Sequence, residues 1–578
     1  MKKTGLTAIL LALCLLLGGC ARQGGTTITV QEIDPALYTG AEYYAPDSAP
    51  AYSGEAVIPA PADVTDWAQA RRENEAGVVI EAPPVVDMSR GDFTYGVVVD
   101  PGVDIHPLRT VYKDMYSVNR LMFESLVELD ANLEPVAQLA DTWSVEGKVW
   151  TFSLRSGVLF HNGKSLSALD VIASYETIRN SPGTCWYEMV DLIEGMEAVD
   201  DLTLRVTAKS RGQILLYAMT FPIVQSDTVN SACMGLDMPM GTGPYWIIQY
   251  DESTSLRLEN NPLWWRRASG NINSVVVLFY KNTRSALIGL ELDEIDALAT
   301  DYPTASLSKN LSDRITLNYS TQTYECLVPN LHGALLSDLN VRQALMYAVD
   351  RTTLGNTAYA GLAQESEVPV IPGSYLYDAK ATRYHYSPER ALQILQDAGW
   401  SDQDQNGILE KEIAGSMRSL SLRLSTYDRG TTATRSEAAE MIARQLRLVG
   451  FEVTVEINSS ERVKKRLKEG DFDLVLCGFE TAIVPNLAFL LAGTGSANYS
   501  GYRSDAMDSA LHAAYYAESR SELIAAMSKV QMLVVEDLPI LGLFFRAGVL
   551  TSRQSLGGLT GTWQYDALRG LPVAIPAN

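Results

Sequence analysis

The late part of the chain carries the clearest spacing of apolar and polar positions. Leu420, Leu422 and Leu424 alternate with polar neighbours, which predicts a strand. Ser436 to Val449 places Met441, Ile442, Leu446 and Val449 on one helical face. It closes at Gly450, the residue type that best tolerates the left-handed conformation ending a helix. Phe451, Val453, Val455 and Ile457 then alternate with Glu452, Thr454 and Glu456, the pattern of a half-buried strand. Glu461 to Lys468 reads as a basic helix ended by Gly470, and Phe472 to Cys477 as a buried strand. This βαβαβ run predicts a parallel sheet with helices packed on it. Open sheets of this kind bind ligands beyond the carboxyl ends of their strands.

Elsewhere the same reading gives a buried strand at Phe93–Val99 and a single helix over Asn340–Leu354 with Val341, Ala344, Leu345, Ala348 and Val349 facing a core. Ser387-Pro388 supplies an N-cap with proline at the first helical position, and the helix runs to Gly399. Ser167-Ala168-Leu169-Asp170 resembles a capping box with Asp in place of Glu. The fold class is α/β.

The first twenty residues differ in kind. Lys2 and Lys3 precede an uncharged run from Leu6 to Leu17, too short for the roughly 20 residues of a membrane-spanning helix. The run fits the apolar region of a secretory signal. It ends in Leu17-Gly18-Gly19-Cys20, which resembles the lipobox of bacterial lipoproteins. That resemblance implies lipidation at Cys20 by two acyl chains, enough for stable anchoring where one chain is marginal. The expected location is extracytoplasmic, anchored to the bacterial cell membrane by an N-terminal lipid. Residues 21–91 are rich in proline and alanine without a sustained period and read as a flexible tether.

The 578 residues allow two or three domains. The net charge is −23, and removing the signal with Lys2 and Lys3, which holds no acid, makes it −25. So acidic a chain is a poor partner for nucleic acid, whose binding rests on Lys and Arg neutralising phosphates. Beyond Cys14 and Cys20, the cysteines are Cys185, Cys233, Cys326 and Cys477, too few for a disulfide scaffold. Cys326 and Cys477 fall in apolar strand-like runs and are either a pair or two small buried hydrophobes.

Several segments, in order, resemble the family 5 extracellular solute-binding proteins, the oligopeptide-, dipeptide- and nickel-binding group of ABC importers. Trp150-Thr151-Phe152-Ser153-Leu154-Arg155-Ser156-Gly157-Val158, then Phe160-His161-Asn162-Gly163 and Asp170-Val171, is similar to their signature stretch, with Asn162 where an acid is usual. Gly241-Thr242-Gly243-Pro244-Tyr245 with Asn260-Asn261-Pro262-Leu263-Trp264-Trp265, and Asp338-Leu339-Asn340-Val341-Arg342-Gln343-Ala344-Leu345, are similar to two more. Ala391–Trp400 and Asp537-Leu538-Pro539-Ile540 are weaker matches.

The resemblance implies a two-lobed periplasmic-binding-protein-like fold (type II, cluster C) with an additional domain and a ligand cleft between lobes. Residues 92–122, 222–325 and 535–578 would form lobe I, 123–221 the additional domain and 326–534 lobe II. Strands near Tyr324–Asn330 and Leu476–Phe479 would cross between lobes as a hinge. The implied function is capture of a peptide or peptide-like solute outside the membrane and its delivery to the permease and ATPase subunits of an importer. The protein would act as a monomer with no cofactor. A lipid-anchored receptor for a signalling peptide, or a binder of a sugar or nickel chelate, are the alternatives.

In peptide-binding members an aspartate three residues after an aromatic holds the ligand's amino group. Here the aromatic is Phe479 and the matching residue is Ala482, with Glu480 the nearest carboxylate. The departure moves the expected ligand away from a free peptide N-terminus. The ligand-binding candidates are Tyr324, Phe479, Glu480, Trp186, Tyr499, Tyr502, Arg503 and Trp563, aromatics to shape a pocket and Arg503 to meet a carboxylate. Arg342 reads as part of a structural ion pair on an amphipathic helix. Asp402, Asp404 and Asn406 open a weak calcium-loop pattern, but its twelfth position is Ile413, so a solvated turn is the better reading.

An enzyme finds little support. The histidines His106, His161, His332, His385 and His512 are dispersed, and there is no H-E-x-x-H, nucleophile elbow or Walker loop. Ser306-Leu307-Ser308-Lys309 matches S-x-x-K without the companion motifs.

Overall fold

The computed structural model describes residues 92–266, 272–301, 315–428, 433–552, 556–560, 563–573 and 575–576. The proposed signal, Cys20, the tether and Ser306–Lys309 lie outside the described residues.

Ten strands build one long sheet: β1 (Phe93–Val98), β2 (Tyr245–Asp251), β3 (Ser255–Asn260), β4 (Ser274–Tyr280), β5 (Ala297–Thr300), β6 (Ile315–Pro329), β7 (Ser421–Thr426), β8 (Glu452–Ile457), β9 (Leu474–Glu480) and β10 (Leu541–Ser552). Their order is β8-β7-β9-β6-β10-β5-β1-β4-β3-β2, and a short strand, Ala363–Glu365, adds to β10. The βαβαβ run folds as its periodicity predicts. Strand β7 pairs in parallel with β8 on one side and β9 on the other. A separate four-stranded sheet orders Ala140–Glu146, Val149–Leu154, Thr203–Ala208 and Ile193–Asp200.

Two main cores form on this frame. The first gathers Phe93, Tyr95, Val275 and Val277 with Trp150, Phe152 and Val206 of the four-stranded sheet, and Trp563 and Leu568 from the late chain. The second gathers Tyr324, Leu345, Leu395, Leu424, Ile442, Leu476, Phe479, Val534 and Phe545. Each large side chain so buried contributes about 1.5–3 kcal/mol of transfer free energy. The molecule is therefore two-lobed, with β6 and β10 contributing to both cores. No helix among the described residues is long and apolar enough to cross a membrane.

Helices follow their end signals. α1 (Leu339–Ala348), α2 (Arg351–Thr357), α3 (Pro388–Asp397), α4 (Thr434–Arg447), α5 (Ser460–Glu469) and α6 (Arg520–Asp537) are the main ones of the second core. The Ser387 hydroxyl accepts from the Arg390 amide at 3.2 Å, and Gly470 takes a left-handed φ of 70° at the end of α5. In the Ser167 cap, Asp170 Oδ2 accepts from the Ser167 amide at 2.8 Å.

Two expectations need correction. Residues 340–354 are not one helix: Val349 is extended, and Asp350 accepts from the Thr353 amide at 2.9 Å to start α2. The carboxylate offers the new helix an N-cap, which outcompetes continuation through β-branched Val349. Arg342 donates not to a carboxylate but to the carbonyls of Leu336, Ser337 and Asp537 at 2.7, 3.0 and 2.7 Å.

The family-like motifs prove to be close-contact sites. A Cβ on Gly241 or Gly243 would stand 2.0 or 2.7 Å from the Met122 carbonyl oxygen. His161 accepts from the Gly241 amide through Nδ1 at 3.3 Å, with Nε2 3.3 Å from the Gly243 carbonyl. The histidine thus holds that turn.

Candidate ligand cleft

Strand β9 ends at Glu480, and the chain turns through Thr481, Ala482, Ile483 and Val484 between the lobes. The turn is fixed by Thr481, whose amide and hydroxyl both donate to the Gln322 carbonyl, at 2.9 and 3.2 Å. Gln564 then brackets Gln322, accepting from its amide at 3.3 Å and donating to its side chain at 3.1 Å. These contacts bring β6, the turn after β9 and the late chain together.

Beside the turn lies a cavity of about 70 Å³. Its wall includes Tyr217, Gln322, Tyr375, Ala482, Met527 and Trp563, drawn from both cores. Among the described residues, no carboxylate, guanidinium, ammonium or imidazole lines it. The Tyr217 and Tyr375 hydroxyls meet at 2.8 Å. Burial holds the Tyr217 phenol well above its ordinary range and pushes Tyr375 up to about 12, so both stay neutral at ordinary pH. A neutral wall suits an uncharged, largely apolar group, because a charge enclosed there would lose its hydration without compensation.

The lobes meet around this cavity. Arg520 forms an ion pair with Glu134, with Nη2 2.8 Å from Oε2, and its guanidinium lies 5.3 Å over the Tyr375 ring. The Tyr375 amide donates to the Asn132 carbonyl at 2.9 Å, and the Gln213 amide to the Ala517 carbonyl at 2.8 Å. On another side Lys113 pairs with Glu480. The arrangement is a closed one.

The ligand candidates disperse. Trp563 lines the interlobe cavity. Trp186 lines a different cavity and packs edge-on against Tyr116 at 5.8 Å. Tyr324 and Phe479 are fully buried register partners on β6 and β9, and Tyr324 packs on Phe545 at 5.0 Å. Glu480 is engaged by Lys113 and does not line the cavity. Tyr499 packs on the second core, Tyr502 donates to Asp537, and Arg503 is exposed; none of the three lines the cavity. Tyr217, Gln322, Tyr375 and Met527 were missed, because no local pattern marks residues that only long-range packing brings together.

The Asp402 loop closes on itself. Asp402, Asp404 and Glu410 place oxygens within 4.8 Å of one another. The loop's own amides take several of them: Asn406 and Gly407 donate to Asp402 at 3.1 and 3.0 Å, and Gln403 to Glu410 at 3.1 Å. The described cysteines are free thiols, including the register partners Cys326 and Cys477.

The family model of bacterial extracellular solute-binding proteins, family 5 (middle part), matches residues 134–501. The nickel-binding periplasmic protein of Escherichia coli is 26% identical over 395 residues, 64% of this chain and 73% of the relative. The oligopeptide-binding protein AppA of Bacillus subtilis is 22% identical over 502 residues, 81% of this chain and 88% of the relative. Among solved structures, a nickel ABC transporter protein from Bacillus halodurans aligns with a TM-score of 0.71 at 20% identity, covering 83% of this chain and 98% of its own.

Proposed function

The chain belongs to the family 5 bacterial extracellular solute-binding proteins, and we propose that it encloses one peptide-like solute between its lobes and presents it to the permease of an ABC importer. The observation that carries the ligand class is the uncharged wall of the interlobe cavity. With Ala482 in the wall and Glu480 engaged by Lys113, an amino group finds no free carboxylate there. The enclosed part of the solute is therefore neutral and apolar or aromatic, as in a blocked or nonstandard peptide. Closure follows from the ligand touching both walls only when the lobes meet.

The finer assignments belong to the same proposal. Cys20 carries the lipid, residues 21–91 hold the binding domain away from the bilayer, and the protein works as a monomer. The lobe and additional-domain boundaries are proposed as read from the sequence, with the stretches around Tyr324 and Phe545, which pack in the second core, crossing from one lobe to the other. Trp563 is the sequence-derived residue that the cavity supports as a ligand contact.

The test is a thermal-shift screen of the purified chain against free and N-acetylated peptides of two to eight residues, sugars and nickel chelates. A ligand at 100 times its Kd adds about 2.7 kcal/mol of stability. Stabilisation by blocked apolar peptides supports the reading. A response confined to free-amine peptides, sugars or chelates defeats it.

A further inference from the structure

A second cavity, of about 360 Å³ against about 70 Å³ for the interlobe one, lies wholly in the half of the molecule built on the first core. It opens where the helix Lys113–Asn119 gives way to the segment leading into strand Val127–Leu129. Asn119, Arg120, Glu124, Glu128, Asp566 and Arg569 contribute its polar wall. An aromatic partition stands between the two cavities: Trp186 on Tyr116, Tyr116 on Tyr565 at 5.1 Å, and Tyr565 on Trp563 at 4.9 Å.

Most of that polar wall is already engaged. Glu124 accepts from Thr242 Oγ1 at 2.9 Å and from the indoles of Trp264 and Trp265 at 3.3 and 2.8 Å. Glu128 holds Arg266 at 3.0 Å, and Arg569 donates to the Leu129 carbonyl at 2.6 Å. Two groups remain unspent. Asn119 is 4% exposed and, among the described residues, neither its Oδ1 nor its Nδ2 has a partner; the Trp186 indole N–H, also buried, has none there either. Leaving a buried donor or acceptor unmet is costly, a cost that a bound ligand would remove. Arg120 meets Asp566 only at 3.6 Å, beyond hydrogen-bond length. Asp566 is shared with Arg569 at 3.5 Å, so Arg120 has no carboxylate at hydrogen-bond length of its own among the described residues.

A carboxamide that needs both a donor and an acceptor matches a peptide unit, and an underused guanidinium fork matches a carboxylate. We propose that this cavity binds the carboxyl-terminal residue of a peptide or an N-acyl amino acid, with its amide on Asn119 and its carboxylate on Arg120. The Trp186 N–H adds a donor beside them. This site is separate from the interlobe one and does not depend on what that cavity encloses.

Isothermal titration of the whole chain with N-acetyl-leucine and with its methyl ester tests the proposal without any variant. The acid should bind at least about tenfold more tightly than the ester. Arg120→Gln and Asn119→Leu should each weaken the acid by a similar factor, whereas Ala482→Phe, which fills the interlobe cavity, should leave it unchanged. Equal binding of acid and ester overturns the proposal. So does loss of binding in Ala482→Phe with retention in Arg120→Gln, or no binding of the acid at 10 mM, about four orders of magnitude above micromolar affinity.

Discussion

Arg435 and Glu325 meet in the interior with side-chain exposures of 4% and 1%, joined by Nε–Oε2 and Nη2–Oε1 bonds of 2.9 and 2.8 Å. The pair ties α4 to β6, and Gly478 on β9 makes room for it, since a Cβ there would stand 2.7 Å from Arg435 Nη2. Removing one partner leaves a buried charge unpaired, so Arg435→Met should cost about 3–5 kcal/mol in urea-unfolding stability. A loss under about 1 kcal/mol would show that the pair is dispensable. Glu124 gives a pH signature. Burial pushes its carboxyl up to about 7, against the pull of Trp265, Thr242 and Arg266. From pH 4.5 to 7 the folded chain keeps a proton that the unfolded chain has released, so this residue's contribution to stability falls as pH rises through that window. Glu124→Gln should remove a fall on the order of 3 kcal/mol, read from unfolding midpoints across pH 4.5–7.5. His106 slopes the other way: burial, then Arg109, lowers it to about 3. Its contribution is complete above pH 6.5 and is lost as pH drops below that value.

Among the elements, the parallel βαβαβ run was legible because each piece carries its own period and its own stop. Leu422 and Leu424 point into the core from β7, and Gly450 and Gly470 take positive φ after α4 and α5. The break between α1 and α2 was less so, because the apolar stripe continues across Val349 while the decisive signal is one capping carboxylate. Asp350→Ala should therefore cost about 1 kcal/mol, measured by chemical denaturation, and an unchanged midpoint would mean that packing alone sets the break. The candidate sites were the least legible part. Asn119 and Asp566 stand 447 positions apart yet share one wall, and no spacing rule reaches that far. Trp186 and Trp563 were found by residue type; their separation onto two cavities is a product of packing.

At the scale of the whole molecule, closure rests on contacts that are individually weak. Lys113–Glu480 and Arg520–Glu134 are partly exposed pairs, worth about 0–1 kcal/mol apiece and screened by salt. Combining Lys113→Gln with Glu134→Gln should shift the unliganded protein toward an open form, seen as a larger radius of gyration in solution scattering. Saturating ligand should restore the compact value, and no change in the double variant would mean that the tyrosine pair and backbone bonds suffice.

The uncharged wall of the interlobe cavity also fixes how heat should accompany capture. Apolar surface leaving water lowers the heat capacity, whereas ion pairing would register chiefly as a dependence on salt. Calorimetry at several temperatures should therefore give a binding enthalpy that becomes steadily more negative on warming. The affinity itself should fall with salt only as far as the two partly exposed interlobe ion pairs are screened, so capture would persist in brine nearly as well as in fresh water.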